Sequence, residues 1–168
     1  MLTRLFYTSL LTLLCITPSW SATPKMLIQR GKWAAYEFKE GKQKVCYMVS
    51  RPLKEVGNYN KRGKVYAMIT HRPPESFNVV SFYQGYSFSP GATAIVQIGK
   101  TKFDLFTEDK TAWASNDQDG PIVDAIKKGE TIIVKGQTSK GANTTDVYSL
   151  KGSSDVYKAM SKACGGVR

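Results

Sequence analysis

Apolar and polar residues alternate with a period of two along much of the chain. The stretch Lys44–Ser50 puts Val45, Tyr47 and Val49 on one side, with Cys, Met and Ser residues between them. Lys64–His71 shows the same period. Because successive side chains of a strand point to opposite faces, this pattern predicts β-strands. Neither set of positions is clearly polar, so we expect central strands with both faces partly covered.

Runs of this kind, rich in Val, Ile, Tyr, Phe and Thr, recur at short intervals along the chain and predict a succession of strands. They are Trp33–Phe38, Lys44–Ser50, Lys64–His71, Asn78–Tyr83, Thr93–Ile98, Lys102–Thr107, Thr131–Thr138 and Thr144–Leu150. Short strands at such spacing are typical of an antiparallel β-sandwich or barrel. A doubly wound α/β fold needs a helix after nearly every strand, and the chain lacks those patterns.

Two short helices are expected among the strands. The first begins at Asp119-Gly120-Pro121, with Pro121 near its first position, and ends at Gly129. The second runs from about Ser154 to Ala163 and ends at two glycines. The sequence therefore predicts a mainly β protein with two short helices.

The first residues are typical of a secretory signal peptide over residues 1–21. Arg4 supplies the positive charge, and Leu5–Ile16 is an apolar stretch that is shorter than the roughly 20 residues needed to span a bilayer. Ser19 and Ser21 place small residues at the −3 and −1 positions, so we expect cleavage after Ser21. An uncleaved N-terminal anchor is the alternative. Cleavage leaves one domain, residues 22–168, without a transmembrane segment.

The expected cleavage reduces the number of cysteines from three to two. Cys15 leaves with the signal peptide, so Cys46 and Cys164 remain as a pair in an oxidising compartment. We expect one disulfide between them. Two buried free thiols are the alternative.

The chain is strongly basic, with a formal net charge of +11 at pH 7. Such a charge attracts anionic partners over long range. The candidate contact residues are Lys39, Lys42, Lys44, Arg51, Lys54, Lys61, Arg62, Lys64 and Arg72. In an exported protein the partner is an anionic component of the envelope or of a host surface, or a protein, rather than a nucleic acid. A generally basic, solubilising surface is the alternative, and the sequence does not indicate an oligomeric state.

Catalytic chemistry has little support in the sequence. His71 is the only histidine, and no G-x-S-x-G motif accompanies it, so a His71-dependent hydrolase is a weak alternative. Gly99-Lys100-Thr101 is similar to the end of a phosphate-binding loop, but a strand pattern follows where that motif needs a helix. Asp117-Gln118-Asp119 lacks the downstream Glu of a calcium loop. We expect no catalytic residues, no metal and no cofactor.

Several aromatic residues gather around Gly85, namely Phe77, Phe82, Tyr83, Tyr86 and Phe88. We expect them to belong to the core rather than to an exposed platform.

Blocks spread over nearly the whole mature chain are similar to one known family. They are Cys46–Pro52, Gly63–Pro73, Asn78–Phe82, Phe103–Thr107, Ala112–Ala114, Val134–Gly136, Tyr148–Leu150 and Tyr157–Cys164. Together they resemble the invasion-associated locus B family.

The resemblance implies an exported protein of a diderm bacterium with an immunoglobulin-like antiparallel β-sandwich. It implies a place in the periplasm, or at the outer membrane and cell surface, and some members are linked to entry into host cells. It supplies no catalytic residues. Our expectation is therefore a non-enzymatic binding or interaction protein that supports host-cell invasion through a basic surface. A periplasmic envelope-maintenance factor with only indirect effects on invasion is the alternative.

Overall fold

A computed structural model describes residues 23–59 and 61–166, so the expected signal peptide lies outside the described residues. The strands are β1 (Lys25–Arg30), β2 (Trp33–Glu40), β3 (Gln43–Ser50), β4 (Lys54–Gly57), β5 (Tyr66–Arg72), β6 (Ser76–Tyr83), β7 (Thr93–Ile98), β8 (Thr101–Glu108), β9 (Thr111–Trp113), β10 (Thr131–Gln137) and β11 (Asn143–Ser149). The helices are α1 (Asn116–Lys128) and α2 (Ser153–Ala163).

The strands form one antiparallel sheet in the order β1-β2-β3-β5-β6-β9-β8-β7-β10-β11-β4. The sheet folds back on itself, because Phe82 of β6 packs edge-to-face on Tyr148 of β11 with ring centroids 6.2 Å apart. The indole Nε1 of Trp33 on β2 also donates to the carbonyl of Ser149, at 2.8 Å. The predicted mainly β, antiparallel fold with two helices is confirmed. The two facing halves are compatible with a sandwich, although the hydrogen-bonded ladder is continuous.

The hydrophobic core lies between the two halves of the sheet. Every second residue of the central strands points into it, as the period of two predicts. The largest fully buried side chains include Trp33, Met48, Ile69, Phe82 and Tyr148. Burial of apolar side chains such as Met48, Ile69 and Phe82 is the main stabilising contribution, at about 1.5–3 kcal/mol for each one.

Helix α1 packs on β6 and begins earlier than the sequence predicts. It begins at Asn116, so Pro121 lies inside the helix and not at its first position. The reason is a tertiary contact in the first turns. The buried carboxylate of Asp119 accepts a hydrogen bond from the backbone N–H of Val80, at 2.8 Å, and this contact fixes residues before the proline as helix.

Helix α2 covers β1, β2 and β3. A disulfide joins Cys46 on β3 to Cys164 at the end of this helix, which confirms the predicted pairing. The ammonium group of Lys44 also donates to the carbonyl of Ala163, at 2.7 Å. Within the described ranges, neither helix is both long and apolar enough to cross a membrane.

Candidate functional site

The predicted contact residues do not form one basic patch. Lys39 and Lys42 lie where β2 turns into β3, whereas Arg51 follows the far end of β3. At about 3.4 Å per residue, the length of β3 separates these two ends by more than about 20 Å. Arg51 and the lysines at the β2–β3 turn therefore lie in separate regions of the surface.

Carboxylates neutralise part of the region at the β2–β3 turn. The ammonium of Lys44 lies 2.7 Å from the carboxylate of Glu37, and this contact lowers the pKa of Glu37. Arg72 forms an ion pair with Glu40. Lys39 and Lys42 are exposed and have no carboxylate within 4.0 Å among the described residues.

Arg62, which the sequence analysis includes among the surface contacts, is an internal residue. Its side chain is 3% exposed and its two terminal nitrogens each lie 2.6 Å from an oxygen of Asp146. The guanidinium also lies over the rings of Tyr59 and Tyr86. Burial lowers the pKa of Arg62, but the hydrogen bonds and charges of Asp146 and Tyr59 together outweigh it, and the net shift of the pKa is upward. Arg62 is therefore a structural cation and not a surface contact for a partner.

The region at the far end of β3 contains an open groove with a volume of about 750 Å³. Three of its lining residues are cations, Lys32, Arg51 and Lys151, and no Asp or Glu lines it. The remaining lining residues are Gln29, Gly31, Ala34, Tyr36, Val49, Ser50, Pro52, Leu53, Tyr66 and Ser149. Lys54, Lys61 and Lys64 follow Arg51 in the sequence and are exposed to solvent, but they do not line the groove. Of the predicted contacts, the groove therefore includes only Arg51.

Two turns packed backbone against backbone bring Lys32 and Lys151 to the same groove. Gly31 has φ +58°, and a Cβ added there would lie 2.7 Å from the carbonyl oxygen of Lys151. Gly152 has φ +84°, and a Cβ there would lie 2.6 Å from the Cβ of Arg30. Only glycine combines a positive φ with such close approach. The β1–β2 turn and the β11–α2 turn thus place two lysines, distant in sequence, along one wall.

Arg51, the third cation of the groove, is held in place by Tyr66. Its guanidinium lies 5.5 Å from the centroid of the Tyr66 ring, and one terminal nitrogen lies 3.4 Å from the Tyr66 hydroxyl. A guanidinium stacked in this way keeps donors free for a carboxylate or phosphate. The exposed side chain of Leu53 and the ring of Tyr36 add apolar surface to the groove. The arrangement is suited to an anionic group attached to an apolar or ring-containing group.

His71 lies inside the protein and not in a cleft. The ring is fully buried, its Nδ1 accepts the backbone N–H of Asn78 at 3.0 Å, and its Nε2 lies 3.1 Å from the hydroxyl of Ser161. Since a backbone N–H only donates, Nε2 of the neutral ring carries the proton and donates to Ser161. Burial lowers the pKa of His71 and favours this neutral form. To act as a base toward Ser161, His71 would need an unprotonated Nε2, which is the other tautomer. The hydrogen bond between the two side chains instead anchors α2 on β5.

The weaker motifs of the sequence also have structural positions. Gly99-Lys100 is the tight turn between β7 and β8, and Asp119 caps a backbone N–H inside the protein. Across residues 23–59 and 61–166, no three His, Cys, Asp or Glu side chains are grouped closely enough to hold a metal ion. Of the aromatics around Gly85, Phe82 and Phe88 are buried as expected, whereas Tyr83 is half-buried on the outer face of the sheet.

Lys32 and Lys151 are the residues that the sequence analysis missed. Each is a single lysine next to a glycine, at Gly31-Lys32 and Lys151-Gly152. That local signal marks a turn, and only the tertiary packing of the two turns unites them with Arg51.

The protein is thus an antiparallel β-protein with a cationic surface groove, and a disulfide anchors its last helix, α2, to the sheet. The chain belongs to the Invasion associated locus B (IalB) protein family, whose family model matches residues 33–161. This match confirms the resemblance, and its span includes both Arg51 and Lys151. No curated protein and no solved structure matches the chain.

Proposed function

We propose that this IalB-family protein is an exported, non-enzymatic binding protein that takes an anionic partner in the groove between Lys32, Arg51 and Lys151. The observation that carries the proposal is the groove lining, which has three cations and no carboxylate. Family membership identifies an invasion-associated locus protein. Export is consistent with that family and with the signal peptide expected over residues 1–21.

The electrostatics favour this groove over the other basic region. In that region Lys44 and Arg72 are each compensated by a glutamate, and only Lys39 and Lys42 are not. By contrast, none of the three groove cations has a carboxylate within 4.0 Å among the described residues. Converging like charges without a counter-charge raise the local concentration of anions. Binding there would weaken as salt rises, because exposed charges are screened.

A binding role rather than catalysis is supported by the environment of His71. The ring is closed off from solvent and its protonated nitrogen faces Ser161, the only hydroxyl within hydrogen-bond distance of it among the described residues. In a hydrolase the nucleophile and its base must reach the substrate, and the nucleophile's hydroxyl must donate its hydrogen bond to the base.

The direct test compares two double variants with the same net charge. Arg51→Gln/Lys151→Gln removes two groove cations, and Lys39→Gln/Lys42→Gln removes two exposed cations at the other end of β3. The probes are phosphatidylglycerol vesicles and heparin, with phosphatidylcholine vesicles as the uncharged comparison. Affinity is measured for the mature protein at low and at high salt.

We expect the groove variant to bind at least one anionic probe about tenfold more weakly, since a few exposed charges contribute about 1–2 kcal/mol together. The matched variant should bind nearly as the native protein does. Equal losses in the two variants would show that only net charge matters and would overturn the assignment to the groove.

The compartment decides between direct contact with a host and an envelope role. Intact cells are treated with a protease that does not cross the outer membrane, beside a periplasmic control protein. Digestion of this protein alone supports a partner outside the cell. Protection of both supports a periplasmic partner, and the groove variant should then fail to restore detergent resistance to a deletion strain grown without host cells.

A further inference from the structure

A second concavity, a trough of about 560 Å³, lies on the outer face of the sheet beside the cationic groove. Strands β5, β6 and β9 form its floor. Its apolar lining includes Met68, Val79, Tyr83 and Trp113. The other lining residues are Tyr66, Thr70, Arg72, Ser76, Ser81 and Thr111, again without an Asp or Glu.

The trough and the groove are continuous. Tyr66 lines both of them. Val49 of the groove and Met68 of the trough are also direct cross-strand partners on β3 and β5. Facing pairs of this kind lie about 5 Å apart, so no strand or loop separates the two concavities along this row.

The apolar character of the trough is unusual for the outer face of a sheet. The solvent side of an antiparallel sheet ordinarily carries polar residues in alternation with the core. Here Met68 is followed across the sheet by Ser81 and Trp113, and the half-buried Trp113 ring forms one wall. Five of the ten lining residues are aliphatic or aromatic, and apolar surface gathered in this way on a solvated face often marks a binding site.

We propose that groove and trough together bind one molecule of an anionic lipid, with a phosphate headgroup at Arg51, Lys32 and Lys151 and an acyl chain along Met68 and Trp113. This inference rests on the proposed function of the groove and adds the class of ligand. Arginine and lysine are suited to a phosphate, to which they donate charge-assisted hydrogen bonds. The trough beside them supplies the apolar surface that a free phosphate or a sugar would leave unused.

Charge excludes a second copy of the chain as the preferred occupant. A dimer through this face would bring two sets of groove cations together on chains of net charge +11. Like charges facing each other oppose association. An anionic amphiphile, in contrast, complements both the cations and the apolar wall.

The experiment uses the mature protein and three soluble probes below their critical micelle concentrations. Dodecyl phosphate carries both chemical features, butyl phosphate has the headgroup with a short chain, and dodecyl maltoside has the chain without charge. Calorimetry gives the affinity for each probe. We expect dodecyl phosphate to bind at least about tenfold more tightly than either comparison probe. Butyl phosphate buries fewer methylene groups, each of which adds to binding, and dodecyl maltoside lacks the charge.

Trp113 reports where the chain lies. Trp33 is fully buried, so a probe in the trough should shift the emission of Trp113 to shorter wavelength and leave that of Trp33 unchanged. The shift should disappear in Trp113→Phe.

Variants separate the trough from the groove. Met68→Thr removes apolar surface from the trough and keeps a residue that favours strands. Ile95→Thr is the matched control, since Ile95 is an exposed residue of β7 that does not line the trough. We expect Met68→Thr, with an unchanged melting temperature, to lose most of the preference for dodecyl over butyl phosphate, and Ile95→Thr to keep it.

The two proposals fail in different ways. Equal affinity for butyl and dodecyl phosphate, both weakened by Arg51→Gln/Lys151→Gln, would overturn the lipid inference and leave the anionic groove in place. Equal affinity for dodecyl maltoside and dodecyl phosphate would overturn the anionic groove itself. A dimer that dissociates when Met68→Thr is introduced would show that a second copy covers the trough, and would also overturn the lipid inference.

Discussion

Arg62 and Asp146 form a two-pronged ion pair inside the protein, with both nitrogen–oxygen distances at 2.6 Å. The side chain of Asp146 is fully buried, and Nε of Arg62 donates to the carbonyl of Gln84, at 2.6 Å. The pair thus joins the loop before β5 to β11 and to the end of β6. This contact places Arg62 in the interior, although its basic neighbours Lys61 and Lys64 are exposed.

Asp146→Asn should reduce the free energy of unfolding by about 3 kcal/mol, because it leaves the buried Arg62 guanidinium with only the part-exposed carboxylate of Glu55, 3.9 Å from Nη1, as a counter-charge. Urea denaturation measures the loss. Asp104→Asn, at an exposed position of β8, is the control and should change stability little. Equal midpoints for the two variants would contradict the structural role of the pair.

The disulfide should contribute strongly to stability because it closes a long loop, with a sequence separation of 118 between Cys46 and Cys164. We expect Cys46→Ala/Cys164→Ala to lose about 2–5 kcal/mol. Reductant should destabilise the native protein by a similar amount and leave the double variant unchanged. A reductant effect of the same size in both proteins would rule out this bridge as the source.

Stability should also fall on mild acidification because of His71. Burial lowers the pKa of the folded-state ring below its ordinary value of 6.5. The unfolded chain therefore binds the proton first, and the free energy of unfolding declines as the pH falls below about 6.5. Urea denaturation from about pH 7.5 to about pH 5.5 measures the slope. His71→Gln should show a flatter slope, and an unchanged slope would refute the assignment.

Gly31→Ala should weaken both the fold and the groove. Its Cβ would lie 2.7 Å from the Lys151 carbonyl oxygen at a positive φ, so the two turns must separate. Gly41→Ala is a close control, with φ +62° and nothing within 4 Å of the added Cβ. It should cost only the backbone strain of about 1–2 kcal/mol. Thermal melts and vesicle binding follow both variants, and Gly31→Ala alone should lower affinity for the anionic probes.

Much of the sheet can be predicted from the sequence because its central strands repeat a period of two over six or more residues. The strands β1, β4 and β9 are absent from the prediction. β4 and β9 have only four and three residues, and the burial of β1 does not follow a period of two. All residues of β4 are exposed, and it pairs with β11 only through tertiary contact. The start of α1 differs from its prediction for a similar reason, because the Asp119–Val80 contact outweighs the local signal of Pro121.

The candidate site is predictable only in part. Arg51 follows a clear strand and belongs to a visible run of basic residues. Lys32 and Lys151 acquire their role through the packing of two glycine turns, which no local pattern reveals. The sequence instead predicts Arg62 at the surface, but its side chain is buried. A basic stretch of sequence does not indicate which of its cations will pair with a buried aspartate.

The covering of β1–β3 by α2 has a consequence for the order in which the molecule can be assembled. These strands come from the beginning of the described chain and the helix from its end. In a chain that emerges N-terminus first, β2 can pair with β3 early. Cys46 can form its native disulfide only after Cys164 has emerged as well. Completion of this part of the fold is therefore tied to the emergence of α2, and until then the apolar face that the helix covers stays open to wrong contacts.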